Sequence, residues 1–193
     1  MAKYTPFASP PAGWTESDPT TATQLDETLK EIWDRANLYS YATIRNASGV
    51  PRETARSSTT ATTSGLQNIA PTSATELQLD ESHVMPTGYT RSGNRIVVAS
   101  AGTYRATFHI TTWSTTARGN LVASLAINGT QQMGTAASFY VRDASAHNMG
   151  SGGLSTLLVL AADDEVSVYV QREGATNMYM VTQECYLTLE RMA

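Results

Sequence analysis

From Leu66 to the C-terminus, apolar residues recur at every second position, and this period limits the fold more than any other feature of the chain. Tyr104, Ala106, Phe108 and Ile110 alternate with Thr107, His109, Thr111 and Trp113. Val166, Val168 and Val170 alternate in the same way with Ser167, Tyr169 and Gln171. A side chain changes face at each residue of a strand, so such a segment buries one face and leaves the other for water or a partner. The pattern predicts strands over 95–100, 103–113, 120–128, 138–142, 154–160, 165–171 and 178–191. Asn128-Gly129 is a two-residue hairpin turn signal, because both central positions of that turn take positive φ. Ser92-Gly93-Asn94 punctuates the chain again, and Gly150-Ser-Gly-Gly153 reads as a flexible loop. Short strands with no helical pattern between them predict an antiparallel sandwich.

The N-terminal third follows other rules. Residues 1–19 hold four of the seven prolines, with Tyr4, Phe7 and Trp14 among them. Proline fixes φ and removes a backbone donor, so the expectation is an extended arm, laid against a surface by its three aromatics. A disordered tail is the alternative reading. Residues 20–41 are the one convincing helix, with Leu25, Leu29, Ile32, Trp33 and Ala36 at helical spacing and charged residues opposite. Asp18 before Pro19, or Thr23 with Asp26, would start it. A single helix of this length is marginal alone, so its stripe must pack on its own domain, on other copies or on a partner. Residues 42–65, rich in Ser, Thr, Ala and Arg, read as a linker to a domain spanning 66–193.

Charged residues make up 16% of the chain and the net charge is −4, with Lys3 and Lys30 the only lysines. No basic stretch gathers phosphates, which argues against nucleic acid as a partner. No apolar run approaches a membrane span, and the first residues lack the apolar core of a signal peptide. The single Cys185 excludes an intrachain disulfide framework and points to a reducing compartment.

A search for chemistry returns little. His83, His109 and His147 lack ligand-type spacing, and no nucleophile elbow or phosphate loop occurs. Asp163-Asp164-Glu165 could present oxygens to calcium but lacks the alternating spacing of a dedicated loop, so a solvated turn is the plainer expectation. Asn46-Ala-Ser48 and Asn128-Gly-Thr130 match the glycosylation acceptor pattern, which matters only in a secreted chain. The expectation is therefore a protein that is not an enzyme, with no catalytic residue, metal or cofactor.

Three segments carry a family resemblance. Ala101-Gly-Thr-Tyr-Arg-Ala-Thr-Phe-His-Ile110 resembles the Gly-x-Tyr-x-Phe strand of the TNF-like jelly roll, the fold of complement globular heads. Leu157-Leu-Val-Leu-Ala-Ala-Asp-Asp-Glu-Val166 resembles its later strand, turn and strand, with Ala162 where the family has a turn glycine. Cys185-Tyr-Leu-Thr-Leu189 resembles the closing strand. The resemblance implies a mainly β, antiparallel jelly-roll sandwich that assembles as a homotrimer. It implies that Thr107, His109, Thr111, Trp113 and Tyr186 line the contact between copies. A strand face of small hydroxyl residues ending in Trp113 suits a symmetric contact better than open water. The alternative is that Trp113 only marks the strand's exit into a loop.

Such trimeric heads occur in tailed-phage particles, and the Ser/Thr/Ala-rich, lysine-poor composition fits that company. The sequence-level expectation is a virion structural protein, assembled in the host cytoplasm, whose partners are itself and other virion proteins such as the major capsid protein. In that reading Tyr4, Phe7, Trp14, Leu25, Leu29, Ile32 and Trp33 anchor it to the particle. A linker of 24 residues spans at most about 85 Å, which favours a capsid decoration or short head fibre over a tail-tip receptor-binding fibre. A secreted cytokine-like ligand is disfavoured by the missing signal peptide and disulfides.

Overall fold

The computed structural model describes residues 27–29, 41–47, 69, 73–114, 119–142, 148–173, 178–180 and 184–192. Twelve strands are described: β1 (Tyr41–Arg45), β2 (Thr75–Glu76), β3 (Glu81–Val84), β4 (Tyr89–Ser92), β5 (Arg95–Val98), β6 (Gly102–Ser114), β7 (Gly119–Ile127), β8 (Thr130–Val141), β9 (Met149–Leu160), β10 (Glu165–Glu173), β11 (Met178–Met180) and β12 (Tyr186–Arg191). All pairings are antiparallel.

One sheet runs β9-β6-β12-β1-β3, with β11 on the β12 side of the long strand β6. The other runs β4-β5-β10-β7-β8, with β2 added to β10 beyond β5. The topology is one long hairpin rolled up. β7 pairs β8 at its tip, then β6 pairs β9, β5 pairs β10 and β1 pairs β12. The cross-pairings β6–β12 and β7–β10 close the roll. This is the antiparallel sandwich expected from the alternation, in the jelly-roll form that the family resemblance implies.

The core lies between the sheets. Tyr104, Ala106, Phe108 and Ile110 of β6 meet Val166, Val168 and Val170 of β10 and Leu121, Ala123 and Leu125 of β7, all essentially solvent-free. At the tip, Asn128 and Gly129 take φ of 51° and 78°, the paired positive values of the tight hairpin turn.

Four expectations need correction. Tyr41–Arg45, assigned to the helix end and linker, is a strand of the domain. Ala42 and Ile44 are fully buried, and β1 is flanked by β12 and β3. Gly150–Gly153 is not a loop but part of β9, paired with β6 from Ile110 to Thr112 and at His109. The glycines are there for space: a Cβ on Gly152 would lie 2.5 Å from the Phe139 ring, and one on Gly153 would overlap the Phe108 carbonyl oxygen. β8 begins at Thr130 and ends at Val141, rather than covering 138–142. The segment 178–191 contains two strands, β11 and β12, rather than one.

Of the predicted helix, residues 27–29 are described and are helical. Among the anchor residues, Leu29 is half-buried, while Tyr4, Phe7, Trp14, Leu25, Ile32 and Trp33 lie outside the described residues. Among the described residues, no helix is long and apolar enough to cross a membrane.

Candidate functional site: the outward face of the β9-β6-β12-β1-β3 sheet

Residues directly opposite in an antiparallel pair share a face, so the register assigns this surface row by row. Tyr41, Glu190, Arg105 and Leu157 form one row across β1, β12, β6 and β9. Thr43, Thr188, Thr107 and Ser155 form the next, a line of four hydroxyls. They hydrogen-bond in two pairs, Thr43 to Thr188 and Thr107 to Ser155, each at 2.8 Å. Arg45, Tyr186, His109 and Gly153 form the third row.

Three of the five sequence-predicted contact residues come together there. Tyr186 and His109 stack with ring centroids 5.5 Å apart and an interplanar angle of 21°. His109 Nδ1 lies 3.1 Å from the Glu184 carbonyl oxygen, which fixes the ring further. Thr107, His109 and Tyr186 are all half-buried.

The other two differ. Thr111 is 4% exposed and Trp113 is 3% exposed within a single chain. Trp113 packs at 5.9 Å from Tyr179, which sits opposite it on β11, and its indole N–H has no hydrogen-bond partner among the described residues. Trp113 is therefore not open surface. The exposed apolar part of this face lies at the other end of β6, on Leu157 at 60% and Val159 at 82%, with Tyr41 at 49%. Sequence reasoning treated Leu157 and Val159 only as strand residues, although alternation with buried Leu158 and Leu160 was the signal that would have separated them.

Charge on this face is cancelled in place. Arg105 Nη1 donates to Glu190 Oε2 at 3.1 Å. Arg45 donates from Nε and Nη2 to the two oxygens of Glu81, at 2.9 and 3.0 Å. That bidentate pair holds the Glu81 carboxyl below its ordinary range, against the opposing effect of desolvation.

Beside this pair a cleft of about 250 Å³ opens between β3, β1 and β12, lined by Thr43, Arg45, His83, Tyr186 and Thr188. His83 thus has a place in the architecture, whereas His147 lies outside the described residues. The three histidines do not converge: His109 sits on β6 in its stack and His83 at the cleft.

The acidic turn is occupied by structural bonds. Asp164 accepts from the Ala161 N–H and from Asn128 Nδ2, each at 2.7 Å, and Asn128 Oδ1 accepts from the Glu165 N–H at 2.9 Å. Glu165 also accepts from Arg95 Nη1 at 2.6 Å. Positive φ falls on Asp163, at 67°, rather than on Ala162, where the resemblance would put a glycine. Among the described residues, no three His, Cys, Asp or Glu side chains are grouped so as to hold a metal ion.

No protein-family model and no curated sequence matches the chain. Solved structures do. The chain is similar to the Eiger TNF of S. frugiperda, at 13% identity over 79% of this chain and 92% of that one, with a TM-score of 0.49. It is similar also to murine APRIL at pH 8.0, at 15% identity over 79% of this chain and 100% of that one, with a TM-score of 0.48.

Proposed function

We propose that the chain is a non-enzymatic, homotrimeric structural protein of a virus particle, a capsid decoration or short head fibre of tailed-phage type. The jelly roll is its head, and the segment before β1 attaches it to other virion proteins. The observation that carries the reading is the outward face of the β9-β6-β12-β1-β3 sheet. Leu157, Val159 and Tyr41 stand exposed beside neutral hydroxyl rows and locally cancelled charges. Exposed aliphatic side chains at one edge of a neutral face suit a contact repeated by symmetry. Placement in a virion rests on the sequence: the aromatic, proline-rich arm and the amphipathic stripe need a surface that the sandwich core does not require. Three linked arms would turn a weak contact into a firm one through effective concentration.

Residues 41–193 should sediment as a trimer at micromolar concentration, and Leu157→Asp with Val159→Asp should shift it to monomer. Without residues 1–40, the head should remain folded but fail to join particles that lack the protein. A monomeric head whose sedimentation ignores both aspartates refutes the assembly. Normal incorporation of the truncated chain refutes the anchor.

A further inference from the structure

We propose that the cleft between β3, β1 and β12 is a binding site for one neutral saccharide ring. Its volume of about 250 Å³ is at the small end of ligand pockets, room for a single ring rather than a chain. Five polar side chains line it: Thr43, Arg45, His83, Tyr186 and Thr188. Their hydrogen-bonding capacity is only partly used. The Thr43–Thr188 hydroxyl pair spends one donor on itself and keeps one donor and three acceptor lone pairs. Arg45 binds Glu81 through Nε and Nη2, which leaves the N–H groups of Nη1. The Tyr186 hydroxyl and the His83 ring make no hydrogen bond among the described residues.

Charge selects the ligand class. The one permanent cation of the cleft is already neutralised by a bidentate carboxylate, so a phosphate or carboxylate would gain little there and would face Glu81. A vicinal diol matches instead, since each hydroxyl both donates and accepts. The Arg–Glu pair presents a donor beside an acceptor, and the threonine pair does the same. Tyr186 adds an apolar ring surface, fixed by its stack on His109, against which the C–H face of a sugar can lie. The β1–β12 ladder holds the backbone of Thr43, Arg45, Tyr186 and Thr188 in place before binding, which lowers the ordering cost. All five lining side chains come from one chain.

The test uses the ¹⁵N-labelled full chain, titrated to ~50 mM with methyl glucoside, methyl galactoside and methyl mannoside, a range that reads the millimolar affinity of a single-ring site. Inorganic phosphate and N-acetylneuraminic acid are the anionic arms. At least one neutral glycoside should move the amide signals of Thr43, Tyr186 and Thr188 in a saturable way. Thr43→Val with Thr188→Val replaces both partners of one hydrogen bond by isosteres, so the fold is kept while affinity falls about tenfold. Tyr186→Leu should weaken binding likewise, and Thr90→Val on the other sheet should leave it unchanged. The site is refuted if no glycoside moves those signals, if the valine pair binds as tightly as the parent, or if either anion binds more tightly than every glycoside.

Discussion

β1 belongs to the sandwich, and removing it or its buried residue tests this directly. Ile44 is fully buried, and β1 is hydrogen-bonded to β12 on one side and β3 on the other, so the site cannot collapse freely. Ile44→Ala deletes three carbons at about 0.8 kcal/mol each and leaves a cavity, which together should cost about 3–4 kcal/mol. With a urea m-value near 2 kcal/mol/M, the midpoint should fall by ~1.5–2 M. Ile44→Val should cost only about 0.5–1.5 kcal/mol.

Asn46 extends the same ladder one step by its side chain. Its N–H donates to the Cys185 carbonyl and its Oδ1 accepts from the Cys185 N–H, both at 3.1 Å, in a fully buried position. Asn46→Ala removes the side-chain acceptor of the buried Cys185 N–H, at a cost of about 1–3 kcal/mol. A chain starting at residue 47 loses Ala42, Ile44 and Asn46 together and exposes β12 as an edge. Against a total stability of about 5–15 kcal/mol, it should be unfolded or nearly so. Urea unfolding followed by tryptophan fluorescence, at one protein concentration because assembly adds to apparent stability, measures all four variants. If the chain starting at 47 unfolds at the parent's midpoint and Ile44→Ala stays within about 0.5 kcal/mol of it, β1 is not part of the domain and the reasoning fails.

Two further outcomes follow from the packing. Gly153→Ala should destabilise by at least the ~1–3 kcal/mol of an overpacked core, because the atom in the way is the Phe108 backbone carbonyl. Gly152→Ala meets the Phe139 side chain instead, and should be relieved in part by Phe139→Leu; a neutral Gly153→Ala midpoint would contradict the strand assignment. Tyr89, 6% exposed, has its phenol pushed up to about 12 by burial, against the opposing hydrogen bond from the Arg191 N–H. The unfolded phenol ionises near 10, so between pH 10 and 12 the folded state holds the extra proton and stability falls as pH rises, by roughly 1–2 kcal/mol. Tyr89→Phe should flatten that limb in pH-dependent urea midpoints; an unchanged slope would refute the assignment.

What the sequence made legible was decided by alternation that buries one face. β6 and β10 stood out because Tyr104–Ile110 and Val166–Val170 repeat their pattern over several residues beside strong turn signals. β1 has the same alternation, Ala42 and Ile44 inward with Tyr41, Thr43 and Arg45 outward, but over five residues inside Ser/Thr/Ala-rich chain, where the composition outweighs it. The glycines of β9 misled for a physical reason: glycine marks a loop by its freedom and a strand by its missing Cβ, and only the neighbour, Phe139 or Phe108, tells which applies. Trp113 was placed on the correct face but given the wrong exposure. Its burial comes with Tyr179 across a pairing some 65 residues away in the chain, which no local pattern encodes. The cleft was missed for the same reason, since its lining joins residues near 45, 83 and 187 through the β1–β12 and β1–β3 ladders.

The low charge of the chain acquires a structural sense on the outward face of the β9-β6-β12-β1-β3 sheet. Two arginines and two glutamates lie there, and each arginine has its glutamate within hydrogen-bond distance. A face built this way has almost no field of its own. Brought against copies of itself around an axis, it meets little of the like-charge repulsion that unpaired charges would multiply with each subunit. Attraction then rests on short-range contact, and the exposed apolar side chains that can supply it, Leu157 and Val159, sit at the β9 edge. The cleft at β3–β1–β12 sits across β6 from that edge. One sheet face thus divides into an apolar margin suited to a second copy and a polar, neutral recess suited to a small polyol. Substitutions at Leu157 and Val159 should accordingly alter sedimentation without altering glycoside titration, and the Thr43→Val with Thr188→Val chain should do the reverse.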